Sequence, residues 1–229
     1  MPFQFAEGEI LLINKPYTWT SFDVVNNLRM FLRSKLDIKK IKIGHTGTLD
    51  PLATGLLILC TGKFTKRIEG YKEFDKEYTG VFTLGATTPS FDKETDIDTQ
   101  FNVGHITDKM ILDTAESFIG VQMQVPPQFS AVKINGRRAY DYARQDEEVK
   151  LAAKPIEISA FEITRIEMPE IHFRIACSKG TYIRAMARDF GAALKNGAYL
   201  SALCRTRIGP YHLRDAWELD TLKTSLFPA

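Results

Sequence analysis

The amino-acid sequence predicts an α+β fold in which helices pack on a mixed, largely antiparallel sheet. Strand and helix patterns interleave irregularly, and several strand candidates follow one another directly, whereas a doubly wound parallel fold alternates them regularly. The chain has 229 residues, of which 44% are hydrophobic and 25% are charged, as in a typical globular domain. We therefore expect residues 1–229 to form a single domain around a sizeable core.

Hydrophobic periodicity places the elements in the first part of the chain. The first helix begins at Thr20 or Ser21, because hydroxyl side chains cap helix N-termini. The apolar residues of this helix recur at three- and four-residue steps, as on a buried helix face. They are Phe22, Val25, Leu28 and Leu32. Strands are predicted at residues 9–14, 55–60 and 76–86, and a further helix at residues 63–72.

The second part of the chain opens with a polar segment, residues 87–104, which we interpret as a mobile loop. It contains Asp92, Asp96 and Asp98 but lacks the glycine and the closing glutamate of a calcium-binding EF-hand. A helix follows, capped by Thr107. Further strands are predicted at residues 129–135, 156–166, 171–177 and 199–208, and further helices within residues 136–145 and 181–195.

Composition narrows the class of protein. The net charge is +2, so any affinity for nucleic acid must come from local basic patches. Cys60, Cys177 and Cys204 lie far apart in apolar segments, which indicates core thiols rather than disulfides or a metal site. The N-terminus lacks the pattern of a signal peptide, and the longest apolar run, LLILC, is too short to span a membrane. We expect a cytoplasmic protein.

A constrained turn, GHTGTLDPLATGL at residues 44–56, contains a single carboxylate, that of Asp50. A P-loop is a poor match, because the glycines that precede Lys63 do not have the required spacing. Asp50 before Pro51 is a common pair at a turn or helix start, where the carboxylate accepts backbone N–H groups. Alternatively, the glycines hold one catalytic carboxylate rigidly at the rim of a site. The residue pattern alone leaves both interpretations open.

A second unusual feature is Arg184, which falls in the first turn of the helix predicted at residues 181–195. The helix dipole disfavours a cation at this end by a few tenths of a kcal/mol up to about 1 kcal/mol. A cation kept there suggests a partner, either a carboxylate or a phosphate, although an exposed arginine would also fit. The adjacent Tyr182 is either a core residue or a platform for stacking.

Four segments together resemble the bacterial tRNA pseudouridine synthase B family: GHTGTLDPLATGLL, KEYTGVFTLG, PPQFSAVKINGRRAYDYAR and CSKGTYIRAMARDFG. They occur in the order and spacing of that family, and the resemblance covers nearly the whole chain. Members of the family isomerise a uridine in the T loop of tRNA, at tRNA position 55, to pseudouridine. The resemblance therefore implies a sheet of the pseudouridine synthase type with a central active-site cleft.

The resemblance implies that Asp50 is the catalytic aspartate and that Arg184 pairs with it. The reaction breaks the N1–C1′ bond of uridine, turns the uracil and joins its C5 to C1′. No water is added and the leaving uracil can carry its charge, so one carboxylate can suffice where hydrolytic glycosidases use two. The carboxylate would attack C1′, attack C6 or take a proton from C2′. An arginine beside a carboxylate favours its charged form in a pocket that excludes water.

The resemblance also assigns substrate-binding roles. His45 would fill the space that the target base leaves in the T loop, and Tyr78 would stack on the flipped base. Tyr182 aligns with the active-site tyrosine, and Leu203 with an apolar wall of the pocket. The pair Lys15–Pro16 matches an element that we interpret as scaffold.

We expect the partner to be the T stem-loop of tRNA, with no membrane, no guide RNA, no metal ion and no organic cofactor. A monomer is the default. Basic side chains predicted to contact RNA phosphates lie in four clusters, and such contacts weaken with added salt. The clusters are residues 33–42; Lys133, Arg137 and Arg138; Lys179; and Arg205 with Arg207.

The sequence departs from the family pattern at a few places. Asn14 and Arg188 stand where acids are common, and neither touches the expected chemistry. Many members carry a C-terminal PUA domain that grips the acceptor stem, and we expect this protein to be a form without it. Two alternatives remain: a non-catalytic RNA-binding protein or chaperone on the same scaffold, and a synthase that works with a guide RNA, like dyskerin.

Overall fold

The structure, a computed structural model, describes residues 3–130, 132–134, 136–145, 147 and 149–227. The chain divides by its internal contacts into two compact units. The first unit comprises Met1–Tyr78 together with Leu203–Ala229, and the second comprises Thr79–Ala202.

Helices and strands are numbered here in chain order. The helices are α1 (Ser21–Lys35), α2 (Ile68–Lys72), α3 (Asp108–Ser117), α4 (Ala139–Ala143), α5 (Ile183–Ala193) and α6 (Leu219–Leu226), with 3₁₀ turns at Gly62–Arg67 and Leu213–Asp215. The strands are β1 (Ile10–Lys15), β2 (Ile43–His45), β3 (Ala53–Thr61), β4 (Lys76–Leu84), β5 (Ala86–Thr87), β6 (Thr99–Gln100), β7 (Gly120–Gln124), β8 (Lys133–Ile134), β9 (Arg137–Arg138), β10 (Lys154–Glu167), β11 (Glu170–Cys177), β12 (Ala198–Ile208) and β13 (Tyr211–His212). The strands β4 and β12 run from one unit into the other.

The sheet of the first unit is centred on β3. Both β1 and β2 run antiparallel to β3, with Ile13 of β1 opposite Leu57. The C-terminal part of β12 runs parallel to β3, with Leu203 beside Ala53, and β13 turns back antiparallel to β12. The mixture of antiparallel and parallel pairs confirms the predicted fold class.

The helix α1 covers the core of the first unit. It begins at a capping box, in which the Thr20 hydroxyl accepts from the Asp23 N–H and the Asp23 carboxylate accepts from the Thr20 N–H. The buried residues of its apolar face include Val24, Val25, Leu28 and Leu32. The predicted stripe was wrong for Phe22, which is 61% exposed. Because Val24 rather than Phe22 shares the face of Leu28 and Leu32, the stripe is rotated from the predicted position.

In the second unit, β4, β11, β10 and β7 are neighbours in that order. The pairs β10–β11 and β10–β7 are antiparallel, with Phe161 opposite Ile175 and Ile156 opposite Gln122. The rings of Phe82, Phe118, Phe161, Phe173 and Phe190 form the core, and the centroids of Phe82 and Phe173 are 4.2 Å apart. The side chain of Phe190 belongs to α5, so this aromatic cluster fixes α5 against the sheet.

The polar segment 87–104, predicted as a loop, contains more structure than expected. The strand β5 pairs antiparallel with β6, and Asp92 is only 4% exposed. The Asp92 carboxylate accepts a hydrogen bond of 2.6 Å from the Ser90 hydroxyl. The main-chain carbonyl of Asp92 accepts one of 2.7 Å from the Thr88 hydroxyl. Three aspartates in a polar run indicated solvation, but internal hydrogen bonds allow one of them to be buried.

Other boundaries also differ from the predictions. The strands β7 and β13 and the helix α6 were not predicted, whereas α3 begins after its Thr107 cap as expected. The strand predicted at 129–135 is present only as β8, and residues 131 and 135 lie outside the described residues.

The cysteines are free thiols, with Cys60 and Cys177 buried and Cys204 partly exposed. Burial raises the pKa of Cys60 from 9.0 to about 11, as expected for a core thiol. No helix of the described ranges has the length and apolarity needed to cross a membrane.

Candidate active site

Asp50 lies in the loop that connects β2 to β3 in the first unit. The loop leaves β2 after His45, which is paired with Leu59, and the Thr46 N–H donates to the Ile58 carbonyl at 3.1 Å. The Ala53 N–H donates to the Asp50 carbonyl at 3.1 Å, which closes a tight turn as β3 begins. The carboxylate is thus placed by a turn built between two paired strands, as the glycine-rich pattern suggested.

A buried hydroxyl fixes the middle of this loop. The Ser21 side chain, at the start of α1, donates to the Leu49 carbonyl at 3.2 Å and accepts from the Leu49 N–H at 2.8 Å. Because Ser21 is only 2% exposed and Leu49 only 4%, these bonds are shielded from water. The residue before Asp50 is therefore held from both of its main-chain polar groups.

Lys15 supports the far side of the loop. Its side chain is fully buried and Nζ donates to the carbonyls of Trp19 at 2.5 Å, Pro16 at 2.9 Å and Pro51 at 3.3 Å. Burial lowers the pKa of Lys15 from 10.5 to about 8, an effect that the nearby Asp50 charge opposes. The Lys15–Pro16 pair thus serves the scaffold of the Asp50 turn.

Arg205 corrects a prediction. It was expected to contact RNA phosphates together with Arg207, but it is only 2% exposed. Its guanidinium donates to the carbonyls of Leu56 at 2.8 Å, Gly47 at 3.1 Å and Thr48 at 3.3 Å. Two basic residues near the end of a strand suggested a solvent-exposed face, but the side chain of Arg205 in β12 points into the protein.

Three further candidate residues belong to the first unit. His45 ends β2, and burial holds the pKa of its imidazole below the usual value, so the ring is neutral at physiological pH. Tyr78 lies in β4 and is 9% exposed. Leu203 lies in β12 and pairs with Ala53, which is three positions after Asp50 in the sequence. The carbonyl of Leu203 accepts a hydrogen bond of 3.4 Å from the Thr54 hydroxyl. Leu203 is therefore a neighbour of the point where the Asp50 loop enters β3.

The two remaining candidates, Tyr182 and Arg184, belong to the second unit. Tyr182 is the N-cap residue of α5, and the Gln124 amide holds both of its main-chain polar groups. The Tyr182 N–H donates to Gln124 Oε1 at 2.9 Å, and Gln124 Nε2 donates to the Tyr182 carbonyl at 3.2 Å. A side chain from β7 thus supplies the cap that Tyr182 itself does not provide.

Arg184 is the second residue of α5, is 5% exposed and has an acidic partner. Its Nε lies 3.6 Å from Asp92 Oδ2, and its Nη groups donate to the carbonyls of Phe129 at 2.9 Å and Ser90 at 3.3 Å. The prediction that a cation at this helix start has a carboxylate or phosphate partner is confirmed by Asp92, whereas the pairing with Asp50 that the resemblance implies stays a prediction. Asp92 was not a predicted site residue. The Ser90 hydroxyl two residues earlier was a signal that could have shown it to be structured.

The described residues contain no group of three or more His, Cys, Asp or Glu side chains arranged to hold a metal ion. In the first unit the polar contacts are made by Lys15 and Arg205, and in the second unit by Arg184 with Asp92. Such an arrangement suits proton transfer, nucleophilic attack or charge stabilisation by side chains.

Comparison with known proteins decides the family. The model of the TruB family of pseudouridylate synthases, which describes their N-terminal domain, matches residues 33–183. The chain belongs to this family. The TruB family match confirms the predicted class of enzyme, an isomerase that forms pseudouridine.

Curated relatives of this TruB family chain are similar over nearly their whole length. It is 52% identical to the tRNA pseudouridine synthase B of Phocaeicola vulgatus, over 95% of this chain and 92% of that protein. It is 50% identical to the tRNA pseudouridine synthase B of Flavobacterium johnsoniae, over 98% of this chain and 99% of that protein.

Solved structures show the same fold. The protein in a Cbf5–Nop10–Gar1 complex matches with a TM-score of 0.72 and 27% identity, over 96% of this chain and 54% of that one. An H/ACA RNP bound to a substrate RNA that contains 2′-deoxyuridine matches with a TM-score of 0.69 and 24% identity, over 96% of this chain and 53% of that one. The pseudouridine synthase type of α+β fold is thereby confirmed for this TruB family member.

Proposed function

We propose that this protein isomerises the T-loop uridine of tRNA, at tRNA position 55, to pseudouridine. The observation that carries the proposal is the 52% identity to a tRNA pseudouridine synthase B over 92% of that protein's length. Membership of the TruB family supplies the type of reaction, and the names of the relatives supply the class of RNA.

We assign the chemistry to Asp50 alone. The reaction adds no water, so a single carboxylate can open the N1–C1′ bond by attack at C1′ or C6, or by removal of the C2′ proton. Hydrogen bonds from Ser21 and Lys15 to the residues on either side of Asp50 support this assignment, because a reacting group must be held in one geometry. An ordinary Asp–Pro turn does not need such support from buried side chains.

Four residues would bind the substrate. Removal of the uridine from its stack costs a few kcal/mol, and an aromatic platform returns about 1–3 kcal/mol for each base. Tyr78 and Tyr182 would supply aromatic faces, and Leu203 an apolar wall. The neutral ring of His45 would enter the space vacated in the T loop, where an uncharged imidazole is cheaper to desolvate than an imidazolium.

Arg184 would stabilise the charge of the catalytic carboxylate, and Asp92 would hold Arg184 in place. The buried pair of Arg184 and Asp92 supports this role, since a guanidinium fixed by an acid and two carbonyls is preorganised rather than flexible. Removal of either member would leave the charge of the other buried with one ion-pair contact fewer.

The partners that we propose are limited to tRNA. The enzyme would act as a cytoplasmic monomer without a guide RNA. A second candidate, a synthase that depends on a guide RNA, is favoured by the structural similarity to Cbf5 in its complex with Nop10 and Gar1. The higher identity to tRNA pseudouridine synthase B proteins favours the unguided reaction.

An in vitro assay with the Asp50→Asn variant tests the proposal. Purified protein is incubated with an unmodified tRNA transcript that carries tritium at C5 of uridine, and release of tritium measures isomerisation. We expect stoichiometric conversion without any other RNA or protein, and pseudouridine only at tRNA position 55 when the product is mapped. Asp50→Asn should abolish release while the dissociation constant of tRNA stays within about twofold, because binding energy comes from other contacts.

Asp96→Asn is the matched control, because Asp96 is an exposed aspartate of the second unit. It should leave both rate and binding unchanged. Turnover by Asp50→Asn comparable to that of the control would refute the assignment of Asp50. Conversion that appears only after addition of a guide RNA would favour the second candidate.

A further inference from the structure

Arg205 is a buried arginine in the C-terminal part of β12, and the proposed reaction at Asp50 does not use it. We propose that Arg205 is a positioning residue, which holds the loop before and after Asp50 in the geometry needed for isomerisation. This inference rests on the proposed catalytic role of Asp50. It gives Arg205 a function that differs from the phosphate contact expected from the sequence.

The contacts of Arg205 span the loop. Two of its nitrogens, Nη2 and Nη1, donate to the consecutive carbonyls of Gly47 and Thr48, which precede Asp50. Its Nε donates to the carbonyl of Leu56, which follows Asp50 and lies within β3. One rigid, planar group therefore ties the entry of the loop to the strand into which the loop exits.

The hydrogen bonds of Arg205 complete those of the rest of the loop. Each carbonyl from Gly47 to Pro51 accepts a hydrogen bond within the first unit. The donors, in chain order of the acceptors, are Arg205 for Gly47 and Thr48, Ser21 for Leu49, the Ala53 N–H for Asp50, and both Lys15 and the Thr18 N–H for Pro51. Arg205 is the side chain that serves two of these consecutive carbonyls, so its loss would release the largest part of the loop.

The backbone brings Arg205 unusually close to the loop. Arg205 pairs with Gly55 across the parallel strands β12 and β3. Gly55 has a φ of +104°, and a Cβ added there would lie 2.4 Å from the Arg205 carbonyl oxygen and 2.6 Å from its nitrogen. The glycine thus allows β12 to approach until the guanidinium reaches the loop. Gly55 therefore serves the close approach of two strands as well as the shape of the turn.

The positive charge of Arg205 also affects the titratable side chains around the Asp50 loop. Arg205 is 2% exposed, and a buried guanidinium is retained only where several acceptors compensate its desolvation. Its charge contributes to lowering the pKa values of both Lys15 and His45, after the larger effect of burial. Arg205 therefore lies close enough to act electrostatically on the residues around Asp50 as well as to bind the main chain.

The decisive variant is Arg205→Lys, which keeps the charge but replaces the three separate nitrogens of the planar guanidinium, each bound to a different carbonyl, by a single ammonium nitrogen. Under single-turnover conditions at saturating tRNA, we expect its isomerisation rate to fall at least about tenfold while the tRNA dissociation constant changes less than about twofold. Hydrogen exchange measured without tRNA should become faster in the peptide that covers residues 46–52. Arg214→Lys, an exposed arginine of the same unit, should change none of these quantities.

The outcomes separate the possible roles of Arg205. A wild-type rate with wild-type exchange in folded Arg205→Lys would overturn the proposal. Weaker tRNA binding with an unchanged rate at saturation would overturn it in favour of an RNA contact. Should Arg205→Lys not fold, Arg205→Gln provides a neutral amide of smaller size, and failure of both variants to fold would assign Arg205 to folding and contradict the proposal.

A comparison with Asp50→Asn separates this inference from the proposed function. If Asp50→Asn stays active while Arg205→Lys shows faster exchange of the loop, the assignment of Asp50 fails and the contacts of Arg205 stand. If Asp50→Asn is inactive and Arg205→Lys behaves as wild type, only the positioning role fails. An Arg205→Met variant adds a readout of charge, since the pKa of His45 followed by NMR should rise in it and stay unchanged in Arg205→Lys.

Discussion

At the scale of single residues, Arg184 shows how an unfavourable local position indicates a tertiary partner. A cation in the first turn of α5 is opposed by the helix dipole, and the structure supplies Asp92 as compensation at 3.6 Å. The place of Arg184 in the first turn of the helix could be predicted, because the start of a helix is recognisable from the residues around it. The contact with Asp92 could not be predicted, because Asp92 is distant from Arg184 in the sequence and belongs to a polar segment that was interpreted as a mobile loop.

The variant Asp92→Asn tests this pair. It keeps the size of the side chain but removes the charge that faces Arg184. The buried guanidinium would lose the negative charge that faces it at 3.6 Å, so we expect the single-turnover rate to fall at least about tenfold. The tRNA dissociation constant should stay nearly constant, and Asp96→Asn serves again as control. A rate within about twofold of wild type would show that Arg184 does not depend on Asp92.

At the scale of secondary-structure elements, the start of α5 depends on a strand that the sequence did not predict. The apolar stripe of α5 was evident from its periodicity, and Phe190 joins the aromatic core as that pattern requires. Strand β7 was missed because its residues Val121 and Met123 face solvent, being 77% and 63% exposed, while Gln124 is buried. A polar residue pointing inwards and apolar residues pointing outwards reverse the usual signal of a half-buried strand.

The variant Gln124→Met tests the cap of α5. Methionine has a similar length but offers no group for the Tyr182 N–H and carbonyl, which then lie at a helix start without the amide that bound them. We expect the free energy of unfolding, measured by urea denaturation, to fall by about 1–3 kcal/mol. Gln100→Met, at an exposed position of β6, should change it by less than about 0.5 kcal/mol. Equal stability of the two variants would mean that the amide contributes nothing to the cap.

At the scale of the whole molecule, the net charge predicts little about the binding of tRNA, whereas the positions of the basic side chains predict more. The chain carries 30 basic and 28 acidic residues, so tRNA must be attracted by local clusters rather than by a long-range field. Within the basic run at 33–42, Lys39 and Lys40 lie beyond the end of α1 and are exposed, as a contact with RNA phosphates requires. Arg205, by contrast, shows that a basic residue in the sequence need not face solvent.

Salt dependence of tRNA binding tests the cluster at 33–42. The double variant Lys39→Gln, Lys40→Gln removes two charges that would each release about 0.7–0.9 counterions on binding a phosphate. We therefore expect the slope of log affinity against log salt concentration to become shallower by about 1.4–1.8. The control double variant Lys93→Gln, Lys109→Gln lies outside the predicted clusters and should keep the wild-type slope. Identical slopes in both double variants would remove residues 33–42 from the RNA-binding surface.

Across these scales, what could be predicted was local or repetitive. Fold class, the capped starts of α1 and α3 and the long strands β3, β10 and β11 follow from periodicity and capping, which short windows of sequence contain. The inward turns of Gln124 and Arg205 could not be predicted, because each of these polar side chains is buried by partners distant along the chain. Asp92 has local partners in Ser90 and Thr88, but the arginine that it faces is distant. The turn that carries Asp50 was recognisable from its glycines, but the side chains that hold it were not.

The loop around Asp50 is held through its carbonyl groups rather than through its own side chains, and this has a consequence for protein engineering. Because Arg205 binds the carbonyl of Thr48, while the residue itself is exposed, the Thr48 side chain can be exchanged without loss of that contact. Gly55 offers no such freedom, since an added methyl group would meet main-chain atoms that no rotamer change can move. Libraries that aim at new RNA targets can therefore diversify position 48 and should leave position 55 untouched.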